Sequence, residues 1–268
     1  LMIVTAFGFS FATPKTAQAA NTKYWIKVNK QANVATVYQL KNGTYKPIKA
    51  FLVSCGGANT PAGTFYTPAK YRWQTLMGPS YGQYCTRVHG GVLFHSVWYY
   101  EKNPSTQSTV QFNKLGQTAS HGCIRLSVGD AKWIYDNCAL GTKVTVYSSS
   151  NPGPLGKPKG IKVSTARRQY WDPTDPSKKN PYRKQKATLT VAKKKAKTAE
   201  YGTSYNVKSG VTAKDKITKK SLTKNITYTT TKYVKGKYRK AKFSTKSLGT
   251  YRIKYTVKSS LGVKTTKT

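Results

Sequence analysis

The most informative part of the sequence is residues 119–138, ASHGCIRLSVGDAKWIYDNC. Its second half predicts a helix, because Ser127 and Asp130 form the capping pattern of a helix N-terminus and apolar residues then recur at helical spacing. Gly141, shortly after the last of these apolar positions, predicts the end of the helix. A short reactive sequence therefore stands directly before a capped helix.

Cys123 is the candidate nucleophile in the first half of this stretch. It lies between His121 and Arg125. A neighbouring imidazolium, a guanidinium and a helix N-terminus each lower the pKa of a thiol, so we expect Cys123 to be activated. Gly122 leaves room for the backbone of a substrate to approach. A second histidine, His95, ends a predicted buried strand upstream, and either histidine is a candidate base.

Residues 23–148 read as one strand-rich domain around this stretch. Asn42-Gly43 predicts a tight hairpin between two of the strands. The runs of β-branched and aromatic residues that predict strands are Tyr24–Val28, Val34–Tyr38, Ile48–Ser54, Val92–His95 and Val144–Tyr147.

Four segments of this domain occur in an order that is typical of one family. They are Thr60–Phe65 (TPAGTF), His95, Leu115-Gly116 and Ser120–Leu126 (SHGCIRL). Together they resemble the L,D-transpeptidase catalytic domain, and the resemblance covers roughly residues 23–147. Two features depart from the family pattern. Ser96 stands where Gly is usual, and the stretch between His95 and Ser120 is longer than the common form.

The resemblance implies a mainly β fold, a sandwich or barrel with one or two short helices. It also implies a cysteine L,D-transpeptidase that forms 3→3 cross-links in peptidoglycan through an acyl-enzyme. In the family's pattern Cys123 is the nucleophile and His95 the proton shuttle, while the Ser96 carbonyl fixes the imidazole tautomer. The residues implied to bind the stem peptide are Ser120, His121, Gly122 and Arg125.

The resemblance carries further expectations about ligands. The backbone amides of Gly122 and Cys123 are candidates for an oxyanion hole. Carbapenems are expected inhibitors, and no cofactor or metal is expected. A zinc site built from His95, His121 and Cys123 would not match the ligand spacing of closed structural zinc sites.

Several alternatives stay open at this level. The enzyme could trim stem peptides as an L,D-carboxypeptidase, or the chain could be a cell-wall-binding protein without activity. His121 could be the base, with His95 structural. His89 is most simply a surface residue. The remaining cysteines are either small apolar residues of the core or a disulfide pair: Cys55, Cys85 and Cys138.

The N-terminus predicts export. Leu1–Ala12 is a short apolar run, and Ala17-Gln18-Ala19 follows as a signal-peptidase pattern, so residues 1–19 read as a partial signal peptide processed after Ala19. No apolar run approaches the ~20 residues of a membrane-spanning helix. We therefore expect a secreted protein associated with the cell wall.

The rest of the chain predicts a linker and a second, smaller domain. Residues 149–186 are rich in Pro, Ser, Gly and Lys, which is typical of a solvated linker. Residues 187–268 contain alternating strands such as Gly249–Val257 (GTYRIKYTV), which places Tyr251 and Ile253 on one face. This segment resembles bacterial Ig-like modules, so we expect a basic β-sandwich that serves as a spacer or binds the wall.

The charge is unevenly distributed and points to an anionic partner. The chain has 268 residues, with 47 Lys and Arg against 7 Asp and Glu. Residues 1–150 have 15 basic and 3 acidic residues, a net charge of +12, whereas residues 151–268 have 32 and 4, a net charge of +28. Export and the lack of an aromatic-stacking motif argue against nucleic acid. We expect anionic wall polymers such as teichoic acid to bind this half.

Overall fold

A computed structural model of the chain describes residues 22–192 and 198–268. The elements of the first part are β1 (Tyr24–Asn29), β2 (Val34–Lys41), β3 (Thr44–Leu52), β4 (Gly63–Tyr66), β5 (Lys70–Leu76), β6 (Ser80–His89), β7 (Val92–Ser96), β8 (Gln107–Ser108), α1 (Thr109–Phe112), β9 (Ile124–Leu126), α2 (Val128–Asn137) and β10 (Lys143–Tyr147). The later elements are β11 (Gln169–Tyr170), β12 (Thr188–Val191), β13 (Val211–Lys214), β14 (Thr227–Val234), β15 (Lys237–Lys240), β16 (Tyr251–Lys258) and β17 (Lys264–Lys267).

Two sheets enclose the core of the first domain. One has the strand order β3-β2-β1-β10-β4 and the other the order β5-β6-β7-β9. Ile26 and Val144 from the first sheet, Phe94 and Ile124 from the second, and Ile134 from α2 belong to one buried apolar cluster. The mainly β fold predicted from the sequence is therefore confirmed.

The predicted strands all occur, with the largest differences in length at β2, which extends to Lys41, and at β3. At the predicted hairpin, Asn42 and Gly43 have φ angles of 49° and 75°, the left-handed conformations that a tight turn between β2 and β3 requires. Strand β3 begins at Thr44, four residues before the predicted start. Pro47 lies inside it because β3 is an edge strand, and the register with β2 shifts next to this residue.

Helix α2 starts and ends near the predicted positions. The Ser127 side chain accepts a hydrogen bond from the Asp130 backbone N–H, as the capping pattern predicts. Val128, Ala131 and Ile134 are buried on the face that packs against the core. The helix stops at Asn137, and Gly141 takes a positive φ of 78° in the turn before β10.

The prediction of a solvated linker over residues 149–186 is wrong for a few of its residues, although most of the segment is exposed or half-buried. Asp172 and Asn180 are 0% exposed, and β11 pairs with β8. Ile161 and Val163 pack on a small buried cluster that contains Val97. The sequence pattern misled because polar side chains fill this segment, yet their buried atoms find hydrogen-bond partners in the domain that precedes it.

Residues 187–268 form two further sheets, β12-β13 and β15-β14-β16-β17. Leu189, Val211, Ile226, Tyr255 and Val257 belong to one small core. On β16 the predicted inward face is more buried than its neighbours. The assignment of these sheets to an Ig-like module, and the domain boundaries, stay predictions.

Two predictions concern membranes and export. Within the described ranges, no helix is long and apolar enough to cross a membrane. The signal peptide predicted over residues 1–19 lies outside the described residues.

Candidate active site

Parallel pairing of β7 with β9 brings the two parts of the predicted site together. In this register His95 is the partner of Arg125, and Phe94 is the partner of Ile124. Because side chains alternate along a strand, His95 and Arg125 face the same side of the sheet. Cys123, directly before β9, lines the same cleft as these two residues, and the cleft has a volume of about 1020 Å³.

The cleft is cationic. Arg87, Lys114 and Arg125 contribute to its lining, and none of the described residues that line it is Asp or Glu. Trp98 and Tyr100, from the long stretch that follows His95, also line the cleft. This stretch therefore contributes directly to the space in which a substrate would lie.

His95 is held in one orientation by its own backbone. It is 2% exposed, and its Nδ1 atom lies 2.6 Å from the Ser96 carbonyl oxygen, the contact that the sequence resemblance implied. A carbonyl only accepts, so Nδ1 is the donor and Nε2 is left without a proton. Burial, followed by the charge of Arg125, lowers the pKa of His95 to about 4. The imidazole is thus neutral at pH 7.

Cys123 is not activated in the way the sequence predicted. Burial is the largest influence and raises the pKa of the Cys123 thiol, while a backbone hydrogen bond from Leu93 and the charges of Arg125 and Arg87 lower it by less. The expectation of a lowered pKa is therefore wrong. At neutral pH the site holds a thiol beside a neutral imidazole rather than a thiolate–imidazolium pair.

The helix N-terminus does not stabilise the thiolate because other groups occupy it. The Val128 N–H donates to Asp172 Oδ2 at 2.9 Å, and the Gly129 N–H donates to Thr174 Oγ1 at 2.8 Å. The third free N–H of the first turn is capped by Ser127, as described above. The helix therefore helps to hold β9 in place, but its N-terminus does not stabilise the Cys123 thiolate.

The loop before Cys123 is clamped by the segment that contains the TPAGTF motif. The Thr60 hydroxyl, fully buried, donates to the Gly122 carbonyl at 2.8 Å and accepts from the Gly56 N–H at 2.7 Å. A Cβ atom at Gly56 would lie 2.4 Å from the Gly122 nitrogen, and one at Gly122 would lie 2.9 Å from the Asn59 oxygen. The side of Gly122 where a Cβ atom would point is filled by the protein's own backbone, while Gly122 itself lines the cleft, so its role toward substrate stays a prediction.

Ser120 and Gly122 are engaged within the same loop. The Gly122 N–H donates to Ser120 Oγ at 3.2 Å, and this hydroxyl donates to the Cys123 carbonyl. The Gly122 amide already has a partner, so it is a poor candidate for the oxyanion hole. These bonds fix the backbone on which Cys123 sits.

Arg125 is a buried cation that lacks an acidic partner in the described part of the chain. It is 8% exposed, and its Nη1 atom donates to Gln111 Oε1 at 3.0 Å and to the Ala119 carbonyl at 2.6 Å. Its Nε atom is buried without a hydrogen-bond partner, and its titratable neighbours are His95 and Cys123. Such a guanidinium is suited to bind an anionic group that enters the cleft.

The other two histidines differ in position. His121 is exposed and lines the cleft. His89 is exposed, stacks on Phe65 at 4.7 Å, and is not among the cleft residues, in agreement with a surface role. Of the two candidate bases, only His95 has a ring nitrogen fixed by a backbone carbonyl in the hydrogen bonds described.

All four cysteines are free. Cys55, Cys85 and Cys138 are buried, so the structure takes the alternative of small apolar residues rather than that of a disulfide pair. Burial raises the pKa of each of these three thiols to about 12. Cys123 is thus the most accessible thiol of the protein.

Two site residues were not singled out from the sequence. Gly82 lies inside β6, where a Cβ atom would come within 3.0 Å of His95 Nδ1. Gln111 supports Arg125 from α1. A glycine in the middle of a strand is a signal of a close approach and could have identified Gly82. No local sequence pattern identifies Gln111 as a residue of the site.

The raised pKa of Cys123 leads to a prediction on alkylation. We expect iodoacetamide to modify Cys123 slowly at pH 7 and about tenfold faster for each added pH unit until about pH 9, because only the thiolate reacts. Peptide mass spectrometry at short times measures the rate. In the unfolded chain all four cysteines should react alike. A rate that is already maximal at pH 6 would indicate a thiolate–imidazolium pair and contradict the assignment of a neutral site.

The first domain matches a known protein family, and the chain has a relative that is similar in sequence. Residues 23–146 match the YkuD family model, described as the L,D-transpeptidase catalytic domain. The chain is 37% identical over 131 residues to the putative L,D-transpeptidase YciB of Bacillus subtilis (strain 168), covering 46% of this chain and 64% of that protein.

Solved structures are similar over the same half of the chain. A fused Zn-dependent amidase/peptidase/peptidoglycan-binding domain-containing protein from Clostridium acetobutylicum ATCC 824 is 29% identical, with a TM-score of 0.37, covering 47% of this chain and 52% of that one. An L,D-transpeptidase from Mycobacterium smegmatis is 23% identical, with a TM-score of 0.38, covering 47% and 59%. The chain spans less than two thirds of the length of these relatives.

Proposed function

We propose that the chain is a secreted cysteine L,D-transpeptidase, from the premise that residues 23–146 form an L,D-transpeptidase catalytic domain. The reaction is formation of 3→3 cross-links in peptidoglycan through an acyl-enzyme on Cys123. One observation carries the proposal: His95, Cys123 and the buried guanidinium of Arg125 line a single cationic cleft.

The chemistry follows from the protonation states. The Nε2 atom of neutral His95 accepts the thiol proton as Cys123 Sγ attacks the carbonyl carbon after the third residue of a tetrapeptide stem. The bond to the terminal D-residue breaks, His95 returns the proton to the leaving amine, and a thioester remains on Cys123. An acceptor amine then attacks the thioester and regenerates the thiol. The Ser96 carbonyl keeps the imidazole in the required tautomer throughout.

The substrate-binding role divides among the predicted residues. Arg125 and exposed His121 are proposed to hold a carboxylate of the stem peptide, which supplies the anionic partner that Arg125 lacks. Ser120 and Gly122 are proposed to act on substrate only through the backbone of Cys123, because their polar groups bond within the loop. The Cys123 amide is the remaining predicted donor to an oxyanion.

The test uses purified full-length protein and muropeptides with tetrapeptide stems. We expect mass spectrometry to detect dimers joined through two third residues, with release of the terminal D-residue. Tripeptide products alone, even with a large excess of acceptor, would assign the protein as an L,D-carboxypeptidase. Neither product, together with no imipenem adduct on Cys123, would favour a wall-binding protein without activity.

Export is proposed from the N-terminal sequence. Residues 1–19 carry the apolar run and the cleavage pattern, so the mature protein should begin at Ala20. N-terminal sequencing of protein recovered from the culture medium and from isolated walls tests this assignment. A mature protein that retains residues 1–19 would contradict it.

The C-terminal half is proposed to hold the enzyme on anionic wall polymers such as teichoic acid. On the sheet of β14–β17, strand alternation and register give one face that consists of Thr, Tyr, Lys and Arg. Its exposed cations are Arg252, Lys254, Lys258, Lys240 and Lys264. A flat face with many cations and no acidic side chain at these strand positions attracts a polyanion by charge.

This proposal predicts salt-sensitive wall binding. We expect a full-length variant with glutamine at Arg252, Lys240, Lys254 and Lys258 to bind isolated walls about tenfold more weakly at low salt, with turnover of a soluble tetrapeptide unchanged. Sedimentation with walls at increasing salt measures the effect.

The control has the same number of charges removed from the first domain. Its substitutions to glutamine are at exposed lysines away from the cleft, namely Lys23, Lys41, Lys46 and Lys102. Equal losses of wall binding in both variants would show that binding depends on the total charge of the protein and not on this face. Unchanged binding after removal of teichoic acid from the walls would reject that polymer as the partner.

A further inference from the structure

A segment with three buried polar residues connects to both parts of the candidate site. This segment, residues 169–184, is called the strap below. It begins at β11, which pairs with β8, and ends in a short 3-10 helix at Pro181–Lys184. None of its residues is among those that line the cleft. Its buried polar residues are Asp172, Asp175 and Asn180, which are 0%, 4% and 0% exposed.

The first connection runs to helix α2. Asp172 Oδ2 accepts from the Val128 N–H at 2.9 Å and from Gln107 Nε2 at 3.2 Å, and Asp172 Oδ1 accepts from Thr174 Oγ1 at 2.6 Å. Thr174 Oγ1 in turn accepts from the Gly129 N–H. The strap therefore supplies two of the three acceptors at the start of α2. This helix directly follows β9, which begins next to Cys123.

The second connection runs to His95. Asp175 Oδ2 accepts from Gln83 Nε2 at 3.4 Å, and the same Nε2 donates to Tyr99 Oη at 2.8 Å. The backbone N–H of Gln83 donates to Ser96 Oγ at 2.9 Å. Ser96 is the residue whose carbonyl fixes the His95 ring. A path of hydrogen bonds that runs through the covalent frames of Gln83 and Ser96 thus leads from the strap to the imidazole.

Hydrogen bonds within the strap join Asp172 and Asp175 through Asn180, so the two connections are not independent. Asn180 Nδ2 donates to the carbonyl oxygens of Asp172 and Asp175, at 2.8 and 2.9 Å. Each carboxylate uses both oxygens: Asp175 Oδ1 accepts from the Ser177 N–H at 2.8 Å while Oδ2 faces Gln83. A polar network that is fully satisfied in a buried place rigidifies the groups it joins.

We infer that the strap is part of the catalytic unit and that Asp172 and Asp175 are positioning residues, which set His95 and Cys123 without touching substrate. The inference rests on the proposed function, in that His95 and Cys123 are taken as the reacting pair. On this inference the catalytic unit extends beyond Tyr147, where the sequence resemblance ends. A chain cut there would lose the acceptors at the start of α2.

The test replaces each carboxylate by the amide of equal size. In Asp172→Asn and Asp175→Asn one oxygen becomes an NH₂ group that faces only donors, so one connection breaks with little change in volume. We expect the imipenem acylation rate of Cys123 to fall about tenfold or more, with the concentration for half-maximal rate changed less than about threefold. We also expect the acid limb of the rate, near pH 4, to move upward as His95 gains water.

The matched control is Asp215→Asn. Asp215 is also 0% exposed and also uses both oxygens, accepting from the N–H groups of Ile217 and Thr218 and from that of Ser260. The hydrogen bonds described for Asp215 lie within residues 187–268 and outside the strap, so we expect loss of stability there and an unchanged acylation rate. If Asp172→Asn does not fold, Thr174→Val removes the acceptor for the Gly129 N–H and one donor to Asp172, and leaves the bond of Asp172 to the Val128 N–H in place.

A measurement that does not depend on catalytic turnover tests this inference separately from the proposed function. The imidazole of His95 can be titrated by NMR in the full chain, with His89 and His121 as internal references. In Asp175→Asn we expect its pKa to rise from about 4 toward its ordinary value, even if the wild type forms no acyl-enzyme. An unchanged His95 titration and an unchanged acylation rate in folded Asp172→Asn and Asp175→Asn would overturn the inference.

Discussion

We expect Cys123→Ala to abolish the covalent imipenem adduct and all turnover of tetrapeptide stems. In the proposed mechanism the thioester forms on the Cys123 sulfur, and no other cysteine lines the cleft, so no weaker route remains. Intact-protein mass spectrometry measures the adduct. The fold should be retained, because the Cys123 side chain is only partly buried and the loop is held by the Ser120 hydroxyl, which bonds the Gly122 N–H and the Cys123 carbonyl.

Cys85→Ala is the matched control for this substitution. Cys85 is buried near Gly82 and His95 but does not line the cleft, and its pKa is raised to about 12. We expect this variant to form the adduct at nearly the wild-type extent. A full adduct on Cys123→Ala, located by peptide mapping on another residue, would contradict the assignment of the nucleophile.

We expect His95→Ala to lower the acylation rate by about 10²–10⁴, the usual contribution of a general base. Loss of His121 should lower the rate by less than about tenfold, through weaker substrate binding. His89→Ala should have no effect, because that side chain lies outside the cleft. Single-turnover acylation by imipenem measures all three variants under the same conditions.

The pH dependence adds a second criterion for the base. The pKa of His95 is lowered to about 4, so His95 stays neutral and active as pH falls until about pH 4, and activity is lost below that value. An acid limb that disappears in His121→Ala would move the proton transfer to His121. Equal losses in His95→Ala and His121→Ala would mean that neither role can be assigned from single variants.

The sequence predicted the elements whose signals are local. The Asn42-Gly43 hairpin and the capped helix α2 each depend on a few adjacent residues, and both occur. The order of His95 and Cys123 along the chain was sufficient to place them in one site, since a known family shares that order. Strand alternation on β16 also gave its buried face.

The sequence could not predict what distant residues do to the site. The direction of the Cys123 pKa shift was wrong, because burial in the cleft outweighs Arg125 and because Asp172 occupies the helix N-terminus. Asp172 lies 44 residues from its partner Val128. A run of Pro, Ser and Lys gives no local sign that two of its aspartates are buried. The polar composition predicted that this segment is exposed to solvent, but long-range hydrogen bonds bury Asp172 and Asp175.

The position of β1 has a consequence for when the first domain can complete its larger sheet. Strand β1 pairs in parallel with β10, and Trp25 Nε1 donates to Thr145 Oγ1 across 120 residues of chain. Contacts of such sequence separation form late and slow folding. Under the proposed export, a chain that emerges N-terminus first presents the central strand of its larger sheet long before that strand's partner β10. The first domain therefore completes this sheet only after residues 143–147 have left the export channel, while the C-terminal residues can still be inside it.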